Sequence, residues 1–439
     1  MTNKIQRLLE FRHTFRGIYL GLSILVACLF FISCNKSDGI IPQFSTSNTG
    51  PYILKIDHLR LIDSLRAEDP VINQAYRDLI RGADSLLTVN FTYVPDKNKD
   101  NIAPSGDPHD YVSLHRYSYP NDSTGAYTDI IDGKTNPEFY DYDKPKLEKI
   151  SFSVYALALA YHYTGIEAYA KKASELLKNW FLNPETRMNP NMKYSSLRPG
   201  VHEEPGGAGI VGALDFIAVI EAASLIYDSS DWTSDLHYEL KKWFFEFYVW
   251  MHNKYPADSY SATNISTWLD VQRVIYLLFT EEEDKLNNSR HVQPVSERIE
   301  NQIEANGLQR YESNRGIPQH YIYFNLKAYM KLSILRKNHF FRTGQDRDWP
   351  VLKNCALNSC EAGGLKAALD NIADFIKQED NTTLFSSDPD FRTCRYLEIF
   401  RPAAVAFDSA KYEEIAQILI NNGCQNSNIL LTYPPLSEL

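Results

Sequence analysis

Four stretches of this 439-residue chain gather side chains able to do chemistry. SGDPHDYVSLHRYSYPND places His109, Asp110, Tyr111, His115, Arg116, Tyr117 and Tyr119 close together. Aromatic rings stack on sugar faces while polar groups address hydroxyls, so the mixture suits a carbohydrate cleft. The alternative is a structural loop pinned by tyrosine hydrogen bonds. WFLNPETRMNPNMKYSSLRPG carries Arg187, Asn189, Asn191 and Tyr194, and YESNRGIPQHYIYFNLKAYMKL carries Arg315, His320 and Tyr321. In SATNISTWLDVQ a polar turn runs into an amphipathic helix, with aliphatic Ile265 set between Asn264 and Ser266.

The elements that must position these residues are helical. Apolar residues recur at steps of three and four in LKIDHLRLIDSL, INQAYRDLIRGADSLL, ISFSVYALALAYHYTG, YAKKASELLKNWFL, LDFIAVIEAASLIYD and LHYELKKWFFEFYVWM. The pattern resumes in TWLDVQRVIYLLF, YFNLKAYMKLSIL, LKAALDNIADFI and YEEIAQILI. No run alternates convincingly as a strand. So many helices in one chain predict an all-α fold, an α/α toroid of antiparallel helix pairs rather than a simple bundle. Two long segments interrupt the pattern, 93 to 146 and 182 to 210, and loops of that length inside a helical domain are usually functional. The acidic run at 281 to 284 reads as a solvated helix end rather than a metal site.

Composition narrows the function classes. With 44% hydrophobic residues the chain is globular, and 45 basic against 55 acidic residues give −10. That balance argues against a nucleic-acid partner. A polyanionic substrate then needs a local cluster of Arg, Lys, Asn and His to overcome the global field. The N-terminus reads as an export signal over residues 1–33: a basic segment, the apolar run GIYLGLSILVACLFFIS, then Cys34 at the position of lipid attachment. Phe31 stands where such signals usually carry Leu, and a retained signal anchor is the alternative. Residues 34–52 have a flexible tether's composition, leaving 53–439 as the folded domain. The expected location is outside the cytoplasm, in the periplasm or at the cell surface, lipid-anchored to the outer membrane. The membrane is then engaged only through that lipid. Four cysteines remain in an oxidising compartment. Of three connectivities, Cys355 with Cys360 and Cys394 with Cys424 is preferred.

Taken together, the His-Asp-Tyr-x-Ser-Leu opening at 109–114, the Trp-Phe-Leu-x-Pro-x-Thr-Arg-Met-Asn-Pro-Asn segment, and an Arg six residues before the Tyr of Tyr-Ile-Tyr-Phe-Asn-Leu resemble the alginate lyase superfamily of polysaccharide lyases. The likeness spans roughly residues 100 to 350. It implies an α/α toroid that cleaves a uronate-containing polysaccharide by β-elimination. The C5 proton of a uronate is removable only once the adjacent carboxylate is neutralised; a base then takes it and an acid protonates the O4 leaving group.

Carried onto this chain, the resemblance implies Arg315 as the neutralising cation and Tyr321 as base and acid. The Arg315 charge is expected to lower the phenol's pKa from about 10. His320 is offset from Tyr321 by about 100° of helical rotation, so it is assigned to substrate binding or to orienting Tyr321. His109, Asp110, Tyr111, Arg116, Arg187, Asn189, Asn191 and Tyr194 are assigned to the substrate cleft. The family's Asn-Asn-His-Gly-Thr-Trp pattern, aligned on Thr267, Trp268, Asp270, Val271 and Gln272, puts Asn264 on the second Asn and Ile265 on the catalytic His. Two expectations follow. Either the chain is a lyase in which Asn264 and Arg315 neutralise the carboxylate and Tyr321 moves the protons, or it is a carbohydrate-binding protein of a surface uptake system. A toroidal hydrolase would need two positioned carboxylates, and no acidic pair presents itself. No cofactor or metal is expected, and the chain is expected to be a monomer with an anionic polysaccharide as its partner.

Overall fold

A computed structural model describes residues 43–98, 101–201, 207–378 and 392–439. The expected signal segment, Cys34 and the tether up to residue 42 lie outside the described residues. The helices of eight or more residues are α1 (Ile56–Leu65), α2 (Pro70–Leu86), α3 (Asp143–Thr164), α4 (Glu167–Leu177), α5 (Phe216–Leu225), α6 (Ser234–Lys254) and α7 (Asn264–Phe279). They continue with α8 (Val295–Gln302), α9 (Pro318–Thr343), α10 (Trp349–Leu357), α11 (Leu365–Gln378), α12 (Leu397–Phe407) and α13 (Ala410–Asn421). Every one of the ten helical patterns in the sequence lies on one of these helices. Local chemistry sets their ends: the Asp69 carboxylate caps α2 by accepting the Val71 and Ile72 amides, and Pro318 starts α9 where no amide partner is needed.

Helices joined by short connections pack on each other, α3 on α4 and α12 on α13, and α7 lies against both α6 and α9. This is the α/α toroid, with one continuous core running through all the layers. In α7 every residue except Ile265 is buried. A helix enclosed all round sits at the centre of a fold, and its polar side chains must be satisfied internally. The Arg298 guanidinium donates to both Asp270 oxygens at 2.8 and 3.2 Å. Thr267 donates to Gln302 or Asn325, at 2.9 and 2.8 Å, and Asn325 donates to Gln302 and Gln309. This network fixes the register of α7 against α9, whose first turns both face the site.

Four short strands were not legible as alternation because each has only two to four residues. They tie the long loops together. β1 (Val112–Leu114) pairs in parallel with β4 (Tyr194–Leu197), and β2 (Ser118–Tyr119) pairs antiparallel with β3 (Asp129–Ile130).

Two boundaries differ from expectation. The tether is packed onto the domain from Phe44, not from residue 53. Phe44 is buried against Tyr238 and Phe245, and the amides of Tyr52, Ile53 and Leu54 all donate to the Glu221 carboxylate. The two aromatic side chains in that polar stretch bury apolar surface, which a free linker could not do. The acidic run at 281–284 is also less solvated than expected: Glu281 pairs with buried Lys241 at 2.6 Å and Glu283 with Arg342 at 2.5 Å. Both preferred disulfides, Cys355–Cys360 and Cys394–Cys424, are formed.

Candidate active site

The chain between α8 and α9 makes a short helical turn, Arg310–Ser313, before α9 begins at Pro318. Arg315 and Gly316 lie between the two, with Tyr321 in the first turn of α9. The β2–β3 hairpin brings Asp132 to meet them. Arg315 Nε donates to Asp132 Oδ2 at 3.0 Å and Nη2 to Oδ1 at 2.8 Å. The Gly316 amide adds a donor to Oδ2 at 2.9 Å, and the Tyr321 hydroxyl one to Oδ1 at 2.9 Å. A Cβ at residue 316 would lie 3.1 Å from the Asp132 carbonyl oxygen, so glycine permits this close approach. Burial opposes the Asp132 charge, but Arg315, the Gly316 amide and Tyr321 outweigh it and hold the pKa down at about 2. Four donors thus converge on one carboxylate. That geometry is more specific than a lone arginine.

Arg315 does act to lower the Tyr321 pKa as expected, but the net result is the opposite. The phenol is pushed far above its ordinary value, first by burial, then by its hydrogen bond with Tyr117 and by the Asp132 charge. The guanidinium lies over the ring face, 3.7 Å from the centroid. It stacks on the ring while its Nη2 and the hydroxyl share Asp132 Oδ1, and its lowering effect is outweighed. Tyr321 is a neutral phenol here, better placed to give a proton than to have lost one.

These residues open on a cavity of about 930 Å³. Arg116, Asn264, Arg315, His320 and Tyr321, all assigned from the sequence, line it together, as does Ile265. Asn264 is buried, its backbone amide donating to Glu312 Oε1 at 2.6 Å and its side-chain amide to Oε2 at 2.8 Å. The second side-chain N–H has no part in that pairing. Burial raises the Glu312 pKa despite those donors. Trp268, Phe324 and His320 form an aromatic wall: Trp268 and Phe324 lie 5.0 Å apart, and His320 stacks on Phe324 with 12° between the planes. Arg116 rests on the Phe139 ring and reaches Glu148 at 3.4 Å.

Among the described residues, six basic side chains line the cavity, Arg116, Lys144, Arg198, Arg315, Lys327 and Lys331, against four acidic ones, Glu148, Asp215, Glu221 and Glu398. The acidic groups already have partners: Lys144 pairs with Glu148 and Asp215, Lys327 pairs with Glu398, and three amides fill Glu221. The described lining thus carries two more basic than acidic side chains, six against four, in a chain whose net charge is −10; an anionic ligand needs such a local excess.

None of the other residues assigned to the substrate cleft lines this cavity. His109 Nδ1 bonds the Arg187 carbonyl oxygen at 2.6 Å, and the Asn189 side chain donates to Asp107 and Asp110, each at 2.9 Å. Asn191 accepts from the Lys193 amide, Tyr111 is fully buried, and Tyr194 pairs with Val112. The contacts of His109 and Asn189 tie the two long loops together. Sequence reasoning missed Asp132, Glu312, Lys327 and Lys331. Only Glu312 carried a usable signal, a lone acid three residues before Arg315; Asp132 sits in an ordinary Asp-Gly turn.

A toroid whose cavity offers a carboxylate-binding fork beside a phenol is the build of a polysaccharide lyase. The family model described as alginate lyase matches residues 95–347, more than half of the chain, and the chain belongs to that family. Among solved structures it is similar to an alginate lyase from Bacteroides ovatus, with 28% identity and a TM-score of 0.75 over 88% of this chain and 99% of that one. It shares the fold of alginate lyase A1-III from Sphingomonas species A1, at 15% identity and a TM-score of 0.54 over 91% of this chain and 100% of that one. A variant of A1-III complexed with a tetrasaccharide matches at 15% identity and a TM-score of 0.53 over 91% of this chain and 99% of the other. A search of the curated proteins returns no match.

Proposed function

We propose that the protein cleaves a uronate-containing polysaccharide by β-elimination, with Tyr321 carrying both protons. The convergence of Arg315, the Gly316 amide and the Tyr321 hydroxyl on a carboxylate supports this reading most strongly. A substrate carboxylate that replaces Asp132 in the fork brings its C5 beside the phenol oxygen. Arg315 and the second side-chain N–H of Asn264 then hold the charge that builds on that carboxylate as the C5–H bond breaks. Tyr321 gives its proton to O4 as the C4–O4 bond breaks, and its oxygen takes the C5 proton as the C4–C5 double bond forms. The phenol ends neutral, as it began. A group held protonated is suited to that order of events.

One tyrosine reaches one face of the sugar, so the elimination is syn. D-mannuronate and D-glucuronate carry the C5 proton and O4 on the same side; L-guluronate carries them on opposite sides. Mannuronate-rich polymer or glucuronan is therefore the substrate, reached from outside the cytoplasm by a domain tethered through lipid on Cys34. Tyr321→Phe tests the assignment. Turnover should fall by about a hundredfold to ten-thousandfold with substrate affinity kept; near-normal turnover would remove Tyr321 from the chemistry. Ile265 in the cavity wall, where the family's histidine is expected, favours a second reading. In that reading the protein retains acidic polysaccharide without cutting it, and polymer held on immobilised protein with no unsaturated product would support it.

A further inference from the structure

Tyr321, Phe324, Lys327, Lys331 and Ile334 of α9 all line the cavity. Steps of three and four put them on one helix face. Tyr321 and Lys331 are ten residues apart in sequence, so a rise of 1.5 Å per residue separates them by about 15 Å along the axis. Their backbone positions are therefore further apart than one sugar ring extends.

The two carboxylates that act electrostatically on Lys331, Glu398 and Glu221, are held by other donors. Glu398 accepts from the Tyr323 hydroxyl at 2.9 Å and from Asn426 at 3.2 Å, and also pairs with Lys327. Glu221 accepts three backbone amides, from Tyr52, Ile53 and Leu54, at 2.9 to 3.0 Å. Lys331 forms no hydrogen bond or ion pair among the described residues, although both carboxylates act on it electrostatically. Ile53, Leu54, Asn428 and Thr432 line the same cavity. An ammonium lining a cavity without a fixed partner, beside a second lysine one turn earlier, is arranged to receive an anion from the cavity.

We infer that Lys331, backed by Lys327, forms a second carboxylate subsite that binds another uronate unit of the same chain, remote from the one held by Arg315. The subsite makes the cavity read the acidity of the polymer at two separated points. A polymer with a single acidic unit among neutral sugars would fill only the Arg315 fork. The inference rests on the uronate reading above and specifies which polymers satisfy it.

Calorimetric titration of the full chain with mannuronate oligosaccharides tests it, in a Tyr321→Phe background so that nothing is cut. Adding Lys331→Met, which keeps the aliphatic stem, should weaken tetrasaccharide binding about tenfold, the weight of one charge-assisted hydrogen bond. Lys331→Arg should retain affinity. A carboxyl-reduced tetrasaccharide and a disaccharide should bind Lys331→Met as they bind its parent. Equal affinity of parent and Lys331→Met for the acidic tetrasaccharide would overturn the subsite, as would equal losses for the acidic and reduced ligands or no binding by the parent. Failure of the lyase reading appears elsewhere: the wild type would release no unsaturated product while tetrasaccharide affinity still depended on Lys331.

Discussion

Arg315 grips both carboxylate oxygens of Asp132, at 3.0 and 2.8 Å. The fork proposed to bind a substrate carboxylate is thus occupied by a carboxylate of the chain itself. Substrate binding on this account exchanges one carboxylate for another, and the β2–β3 hairpin carrying Asp132 must yield.

Asp132→Asn keeps the side chain's shape and removes its charge. Arg315 then gives up a weaker partner, and KM for acidic polymer should fall about threefold to tenfold with kcat little changed. The ion pair is only partly buried, with 35% and 29% of the two side chains exposed, so its loss should cost about 1 kcal/mol or less of stability. Steady-state kinetics decide the matter. A rise in KM would mean that Asp132 helps to hold the substrate.

The same pair makes a pH prediction. The Asp132 pKa lies at about 2 in the folded protein against an ordinary 3.8. A depressed carboxylate binds protons more readily unfolded, so its contribution is complete above about pH 4 and is lost as pH falls towards about 2. The midpoint of urea unfolding should therefore drop more between pH 5 and pH 2.5 in the wild type than in Asp132→Asn. Parallel curves would contradict the assignment.

Asn189→Ala removes the donor shared by Asp107 and buried Asp110. Leaving a buried acceptor short of partners costs about 1–3 kcal/mol. The melting temperature should fall while KM stays within about twofold. A raised KM at unchanged melting temperature would return the loop to the substrate cleft.

Ile265→His places an imidazole in the cavity wall at the start of α7. If a separate base on another face of the sugar is what guluronate lacks, the rate on polyguluronate relative to polymannuronate should rise on the order of tenfold or more. An unchanged ratio would show that residue 265 does not face C5.

Ten of the thirteen helices were legible because the core imposes its period on the sequence; α8 and α10, of eight and nine residues, and α12 were not read, and in α12 Pro402 lies within a segment buried almost all round, leaving no polar face to mark it. Arg315, Tyr321, Asn264, Arg116 and His320 were legible through motif and meet in one cavity. The Thr-Arg-Met-Asn-Pro-Asn segment lies off this cavity, its Asn189 side chain bonded to Asp107 and Asp110. Amides and arginines that clamp loops have the same composition as those that bind sugars, and only the partners distinguish them. Asp132 and Lys331 were invisible for another reason: each is an ordinary residue in sequence, and its meaning comes from what lies across the cavity. The Tyr321 pKa was misjudged because proximity to Arg315 was foreseen without the burial, the Tyr117 hydrogen bond or the Asp132 charge that outweigh it.

The most direct test of the central claim follows the ultraviolet absorbance of C4–C5 unsaturated uronate while the wild-type protein is incubated with polymannuronate, glucuronan and polyguluronate. The account predicts a rise on polymannuronate or glucuronan, little or none on polyguluronate, and none with Tyr321→Phe. Faster cleavage of polyguluronate than of polymannuronate would contradict the single-tyrosine mechanism, and firm binding of all three polymers with no rise on any would contradict the lyase.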